Sequence, residues 1–298
     1  MARIHANGIE IEWDHFGAAG APAILLIAGL GTQMISWAAP FCESLAARGF
    51  RVVRFDNRDA GLSTHFSEFA LPEMGEVLAA FARGERPKIP YLLGDMARDA
   101  VGLLDALGID AAHVVGRSMG GMIGQLVAAE YPERVLSLTS IMSTSGNPNL
   151  PQSAPEAMAA MRAPAPDPAT DEAGFLAHAL RVARANAGTR FGFDEDFIRA
   201  QALTEARRAF DPAGAGRQHL AVAFDGDRRE RLRRIVAPTL AIHGDEDRLL
   251  PWPAGEDTAA NIPGAAFTKI PGMGHEIPPG LYEQLVALIA AHAGAPGG

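Results

Sequence analysis

Two hydrophobic periodicities alternate along this chain. Arg3 to Phe16 holds two short alternating stretches around Asn7-Gly8, a tight-turn pair, and predicts an antiparallel β-hairpin. Ala23-Ile24-Leu25-Leu26-Ile27-Ala28 is apolar without a break, as a short strand covered on both faces should be. A helical pattern from Trp37 to Arg48 follows, then a strand from Phe50 to Phe55. The pattern then gives a short helix over Glu73 to Arg83 and an amphipathic helix over Leu93 to Leu107. A strand over Ala112 to Val115, a helix from Met122 to Tyr131 and a strand from Val135 to Met142 complete the first half. Strands alternating with helices imply right-handed crossovers and a mostly parallel sheet.

From Ser143 to about Leu232 the texture changes. Pro148, Pro151, Pro155, Pro164, Pro166 and Pro168 punctuate an Ala-rich segment, and helical patterns follow at Glu172 to Ala187 and Asp194 to Phe210. Strand-like runs are missing there. Alternation resumes with Thr239 to His243, Ala266 to Ile270 and a last helix, Leu281 to Ala293. The expected organisation is a core of residues 1–142 and 233–298, interrupted by a helical cap over 143–232.

The candidate chemistry begins at Gly116-Arg117-Ser118-Met119-Gly120-Gly121, between a strand and a helix. The turn matches G-x-S-x-G, a bend sharp enough to lift a serine hydroxyl above the end of a sheet. Side chains flanking so tight a bend would collide, which gives Gly116 and Gly120 a reason. In a chain with 32 glycines the five letters alone are weak; the strand and helix around them supply the weight. A phosphate-binding turn of Walker type would need Gly-Lys-Ser/Thr, which does not occur. A serine hydroxyl is a poor nucleophile unless a base, usually a histidine oriented by a carboxylate, lies beside it. The strand ending at His243 runs into Gly244-Asp245-Glu246-Asp247-Arg248, and the next runs into Pro271-Gly272-Met273-Gly274-His275. An acid and a histidine thus follow the serine in order, each just past a strand, with Asp245, Glu246 and Asp247 all open as the acid.

Gly29-Leu30, Asp56 to Ser63, Gly116 to Gly121, Gly244 to Asp247 and Gly272 to His275 together resemble the serine α/β-hydrolase family, over nearly all of the chain outside the cap. Within it the chain is most similar to aclacinomycin methylesterase-like carboxylesterases. The resemblance implies an α/β class fold: a mostly parallel central sheet, helices on both faces and a helical cap insertion. It implies Ser118 as nucleophile, His275 as base and Asp247, three residues past Gly244, as acid. The oxyanion hole would be the backbone amides of Met119 and Leu30, with Ala28-Gly29-Leu30 replacing the family's common His-Gly-X. The activity implied is hydrolysis of small to medium carboxylic esters through an acyl-enzyme, with no metal and no organic cofactor. The same residues leave open a polyketide-type methylesterase, a carbon–carbon bond hydrolase, a cofactor-free haloperoxidase or perhydrolase, an acyltransferase, and a non-catalytic receptor on the same scaffold. Serine at 118 excludes an aspartate-nucleophile dehalogenase or epoxide hydrolase.

Composition changes this picture little. Hydrophobic residues make up 48% and charged residues 20%, ordinary for a soluble globular chain. A net charge of −9 argues against nucleic acid or an anionic membrane as partner, and the resemblance implies a small-molecule ester instead. Cys42, the sole cysteine, permits no internal disulfide and no cysteine metal cage. The N-terminus lacks a secretion-type apolar region, and no apolar run reaches the ~18 residues of a membrane span. The expectation is a cytoplasmic monomer or homodimer. Among other conspicuous residues, His243 reads as a packed or hydrogen-bonded histidine, and His292, Asp245 and Glu246 as solvated. Asp56 and Arg58 read as ties for the turn after their strand, and Met34, Met119, Met122 and Met142 as core. Arg231-Leu232-Arg233-Arg234 reads as a solvated helix end, and Trp37 and Trp252 carry no assignment.

Overall fold

Asn7 (φ 48°) and Gly8 (φ 78°) turn the chain between strands β1 (Ala2–Ala6) and β2 (Ile9–Phe16), both in the left-handed region that a two-residue hairpin of this kind requires. The computed structural model describes residues 1–72, 75, 80, 83 and 89–294. Apart from those isolated positions, the helix expected over Glu73 to Arg83 lies outside the described residues. Beyond the hairpin come β3 (Ala23–Ile27), α1 (Ala39–Ala46), β4 (Arg51–Phe55), α2 (Leu93–Ala106), β5 (Ala112–Arg117), α3 (Met119–Glu130) and β6 (Val135–Ile141). Then follow α4 (Pro155–Arg162), α5 (Glu172–Asn186), α6 (Glu195–Arg208), α7 (Pro212–Asp225) and α8 (Arg229–Leu232). The chain closes with β7 (Thr239–Gly244), α9 (Pro253–Ala260), β8 (Ala266–Ile270) and α10 (Tyr282–His292).

The eight strands form one sheet in the order β1-β2-β4-β3-β5-β6-β7-β8, antiparallel through the hairpin and parallel from β4 onward. Alternation along the buried strands divides the core in two. Leu25, Ile27, Val53, Phe55 and Val114 face α2 and α3, whereas Ile24, Leu26, Val52, Val115, Ile141 and Ile242 face α1 and α10. Each such side chain removed from water stabilises the fold by about 1.5–3 kcal/mol. Parallel register aligns the strand ends that matter: Ile27 lies opposite Gly116, and Gly244 opposite Ile270. The loops after β3, β5, β7 and β8 therefore meet at one edge.

Between β6 and β7 the described residues hold five helices and no strand. Helices α5 and α6 match the expected ranges closely, but α7 is absent from the sequence reading because Gly214 and Gly216 interrupt its pattern. Asp211 starts it nonetheless, accepting the Gly214 amide at 3.0 Å, with Pro212 in the first turn where no amide is needed. Helix α3 begins at Met119 rather than Met122 and is buried from Met119 to Ala128, so it has no polar face to mark its start. Pro40 holds the start of α1 back to Ala39, after a short turn of 3-10 helix at Met34–Ser36. His292 is not solvated: it is half-buried, with Nε2 3.2 Å from the carbonyls of Leu138 and Pro238, and burial lowers its pKa. No helix of the described residues is long and apolar enough to cross a membrane.

Candidate active site

Ser118 sits between β5 and α3 at φ 52°, ψ −122°, a conformation that costs about 1–3 kcal/mol and persists only where its surroundings enforce it. Here the surroundings do. The Ser118 amide donates to Ile141 O at 2.9 Å, and Ser143 Oγ donates to Ser118 O at 2.8 Å. A Cβ on Gly116 would stand 2.1 Å from Gly120 O, so this glycine does relieve the collision across the bend. Gly120 answers to a different constraint: its Cβ would lie 2.1 Å from Ile27 O on the neighbouring strand.

The loop after β8 brings His275 to this serine, with Nε2 3.0 Å from Ser118 Oγ. The other ring nitrogen, Nδ1, lies 2.7 Å from Asp247 Oδ2 on the loop after β7. Asp247 is 5% exposed, and every lone pair has company. Its Oδ1 accepts the amides of Leu249 (2.9 Å) and Leu250 (2.8 Å). Burial alone would raise its pKa, but the neighbouring His275 and the hydrogen bonds from His243 and His275 outweigh it and hold the carboxyl far below the usual range. Asp245 and Glu246 are otherwise engaged. Asp245 Oδ1 accepts the Gly272 amide at 2.7 Å, and Glu246 accepts from Thr189 N and Oγ1, both at 2.8 Å. Rather than being merely solvated, these two carboxylates brace the loops beside His275.

His243 is the residue whose part the sequence underplays. Fully buried at the end of β7, it places Nε2 3.1 Å from Asp247 Oδ2 and 2.7 Å from Leu250 O. Both partners are acceptors, so Nε2 is the donor to them, while Nδ1 is buried without a partner. Its sequence signal was faint: a histidine ending an apolar strand, four residues before the acid.

The loop after β3 lies against the serine, since a Cβ on Gly29 would be 3.6 Å from Ser118 Cβ. It has no histidine to brace it, and other groups do so. Asn57 Nδ2 donates to Ala28 O (3.1 Å), Thr32 Oγ1 to Gly29 O (3.0 Å), and the Gly31 amide donates to Gln218 Oε1 (2.7 Å). Among the described residues neither the Leu30 nor the Met119 amide is taken by a backbone acceptor. Met119 opens a helix, where such amides are free by geometry and carry the positive end of the dipole.

Asp56 reaches beyond its turn. It accepts the Met34 amide (2.7 Å) and the Leu62 amide (2.9 Å), and pairs with Arg208 of α6 at 2.6 Å. Arg58 pairs instead with Asp99 of α2. Asp59, His65 and Asp211 approach closely enough to suggest a cation site. Arg217 already bonds both of those carboxylates, at 2.7 Å and 3.0 Å, so the cluster is an ion-pair network tying α7 to the core. Beside His275, burial pushes the Glu276 carboxyl up to about 7, against the opposing bond from the Gly188 amide.

A strained serine on a strand–turn–helix bend, with an acid and a histidine delivered from later strand ends, defines the α/β-hydrolase class. A family model for the alpha/beta hydrolase fold matches residues 22–279, and the chain belongs to that family. It is 35% identical, over 93% of its length and 92% of the relative's, to rhodomycin D methylesterase DauP of Streptomyces sp. (strain C5). It is 34% identical, over the same shares, to rhodomycin D methylesterase DnrP of Streptomyces peucetius. Among solved structures it resembles the enol-lactonase from Burkholderia xenovorans LB400, with a TM-score of 0.70, 23% identity and 97% of each chain covered. At that identity the likeness speaks for the fold.

Proposed function

We propose that this chain is a serine carboxylesterase acting on small to medium esters, including methyl esters of larger acids. The observation that carries the reading is the unbroken path from Ser118 Oγ through His275 (3.0 Å) to Asp247 (2.7 Å). His275 Nε2 takes the serine proton as Ser118 Oγ attacks the ester carbonyl. Asp247 stays ionised, holds Nδ1–H toward itself and stabilises the imidazolium. The Leu30 and Met119 amides receive the oxyanion, each such donor being worth about 10²–10³ in turnover. His275 then protonates the leaving alcohol, and a water activated by the same ring releases the acid from Ser118. The helices of residues 143–232 serve as a cap over this edge, a role supported by the contacts of Gln33 and Asp56 to α6 and of Gly31 to Gln218 of α7. The two methylesterase relatives support an ester as substrate. Net charge supports a small molecule rather than nucleic acid, and a single buried, unpaired Cys42 is compatible with the cytoplasm.

The test is a panel of chromogenic esters from acetyl to decanoyl together with methyl esters of aromatic acids. Turnover by the native protein, abolished in Ser118→Ala, is the expected result. No turnover of any ester by a folded protein would point to a different reaction on the same residues.

A further inference from the structure

Helix α5 ends at Asn186, and its last carbonyl is taken up by the loop that carries the base: the His275 amide donates to Asn186 O at 2.8 Å. The last four carbonyls of a helix have no partner within it, so this one is available by geometry. Among the described residues it receives the one backbone hydrogen bond that residues 274–277 make. The sheet side holds the loop only as far as Met273, whose carbonyl accepts the Glu246 amide at 3.1 Å. Beyond Met273 the loop leans on the segment that follows α5.

That segment, Asn186-Ala187-Gly188-Thr189-Arg190, runs against residues 272–276. The Gly188 amide donates to Glu276 Oε1 at 3.0 Å, and the Arg190 amide to Gly272 O at 3.2 Å. The two backbones touch. A Cβ on Gly188 would stand 2.3 Å from Gly272 O, and one on Gly274 would stand 2.2 Å from Asn186 O, so neither position admits a side chain. Glu246 fastens the segment from below. Its Oε2 accepts the Thr189 amide and its Oε1 the Thr189 hydroxyl, both at 2.8 Å. Its own amide holds Met273 O, and the residue after it is Asp247. Glu246 thus joins the acid's loop, the base's loop and the insertion at one point.

We propose that Glu246 is a positioning residue for His275, acting through residues 186–190, so that the base stands in register with Ser118 only while this part of the cap is docked. This rests on the serine esterase reading and adds to it a dependence of the base on the cap. Asp247 orients the imidazole ring, but the backbone that carries the ring is fixed from the cap side. A base must lie within hydrogen-bond reach of the proton it removes, and a misplacement of about 1 Å can cost about 100-fold in rate. The Glu246 carboxylate makes both Thr189 bonds charge-assisted, and such bonds are worth about 10- to 100-fold in an equilibrium. Glu246 is only half-buried, so the lower end of that range applies.

The experiment measures the rate of fluorophosphonate labelling at Ser118, with kcat and KM on a chromogenic ester, in Glu246→Ala, Glu246→Gln and Thr189→Val. In Glu246→Ala, labelling and kcat are expected to fall about 10-fold with KM nearly unchanged. Glu246→Gln keeps an acceptor for the Thr189 amide and a partner for its hydroxyl, and should recover most of the loss. Thr189→Val should show a smaller loss that vanishes in the Glu246→Ala background, because the two residues make one contact. The decisive arm places Glu246→Ala in His275→Ala. With no base to position, the slow residual labelling should fall no further. An equal fall in that background overturns the proposal, since the effect would then not pass through His275. So does Glu246→Ala with native labelling and kcat. Thr189 is exposed, and where Glu246→Ala does not fold, Thr189→Val takes its place in both arms with the same two outcomes deciding. A native protein that labels at Ser118 while the variants match it loses the proposal and keeps the esterase reading; a native protein that does not label loses both.

Discussion

Asp247 gathers two histidines and two backbone amides around one buried carboxylate, and that crowding explains its strongly depressed pKa. Asp247→Asn would keep the shape but offer His275 an ambiguous partner; kcat should fall by roughly 10⁴ with little change in KM, read by steady-state kinetics. His243→Leu leaves Asp247 and Leu250 O without their shared donor. We expect a loss of about 1–3 kcal/mol in urea unfolding, with a smaller drop in kcat than Asp247→Asn produces. Glu276 gives a pH signature. With its carboxyl pushed up to about 7, the folded protein retains a proton that the unfolded chain releases at ordinary carboxylate pH. Its contribution to stability is therefore full below that ordinary range and lost as pH rises through about 7. Glu276→Gln should raise Tm above pH 7 and leave it nearly unchanged at pH 4, so an equal shift at both pH values would contradict the assignment. Burial drives the Cys42 thiol up to about 12, with Arg54 opposing, so thiol reagents should leave the native protein unmodified.

At the scale of elements, close approach explains more than propensity. Gly120 lets α3 start against β3, where a Cβ would meet Ile27 O at 2.1 Å. Gly120→Ala should therefore displace the start of α3 and cost activity more than stability, checked by kinetics beside thermal unfolding. Leu26→Ala, in the middle of β3, should do the reverse: about 2–5 kcal/mol of stability, measured in urea, and little change in kcat for what remains folded. The elements that the sequence showed plainly are those with one periodicity and one buried face, such as the hairpin, β3, α2 and α10. Helix α7 escaped because glycines broke its pattern, and its start depends on Asp211, a capping contact that no periodicity reports. Helix α9 escaped because its residues are small: Gly255 packs where a Cβ would stand 2.5 Å from His243 Nδ1.

For the whole molecule, parallel register is the organising fact, because it brings the loops after β3, β5, β7 and β8 to one edge. That is why Ser118, His275 and the acid cluster Asp245-Glu246-Asp247 stand out from their positions just past strands, although they are far apart in the chain; it is the family resemblance that singles out Asp247 among the three. What the sequence could not show is contact across the insertion: Arg208 on Asp56, Gln218 on Gly31, Arg217 on Asp59 and Asp211. Apart from Arg217–Asp211, which lies within the insertion, these pairs join residues more than a hundred positions apart, and nothing local marks them. They also explain why the loop after β3 dispenses with a histidine, its bracing being drawn from Asn57, Thr32 and α7. The most direct measurement is intact-protein and peptide mass spectrometry after reaction with a fluorophosphonate. One adduct is expected, on Ser118, absent in Ser118→Ala and formed far more slowly in His275→Ala. A native, folded protein that takes up no adduct, or takes it up elsewhere, would contradict it.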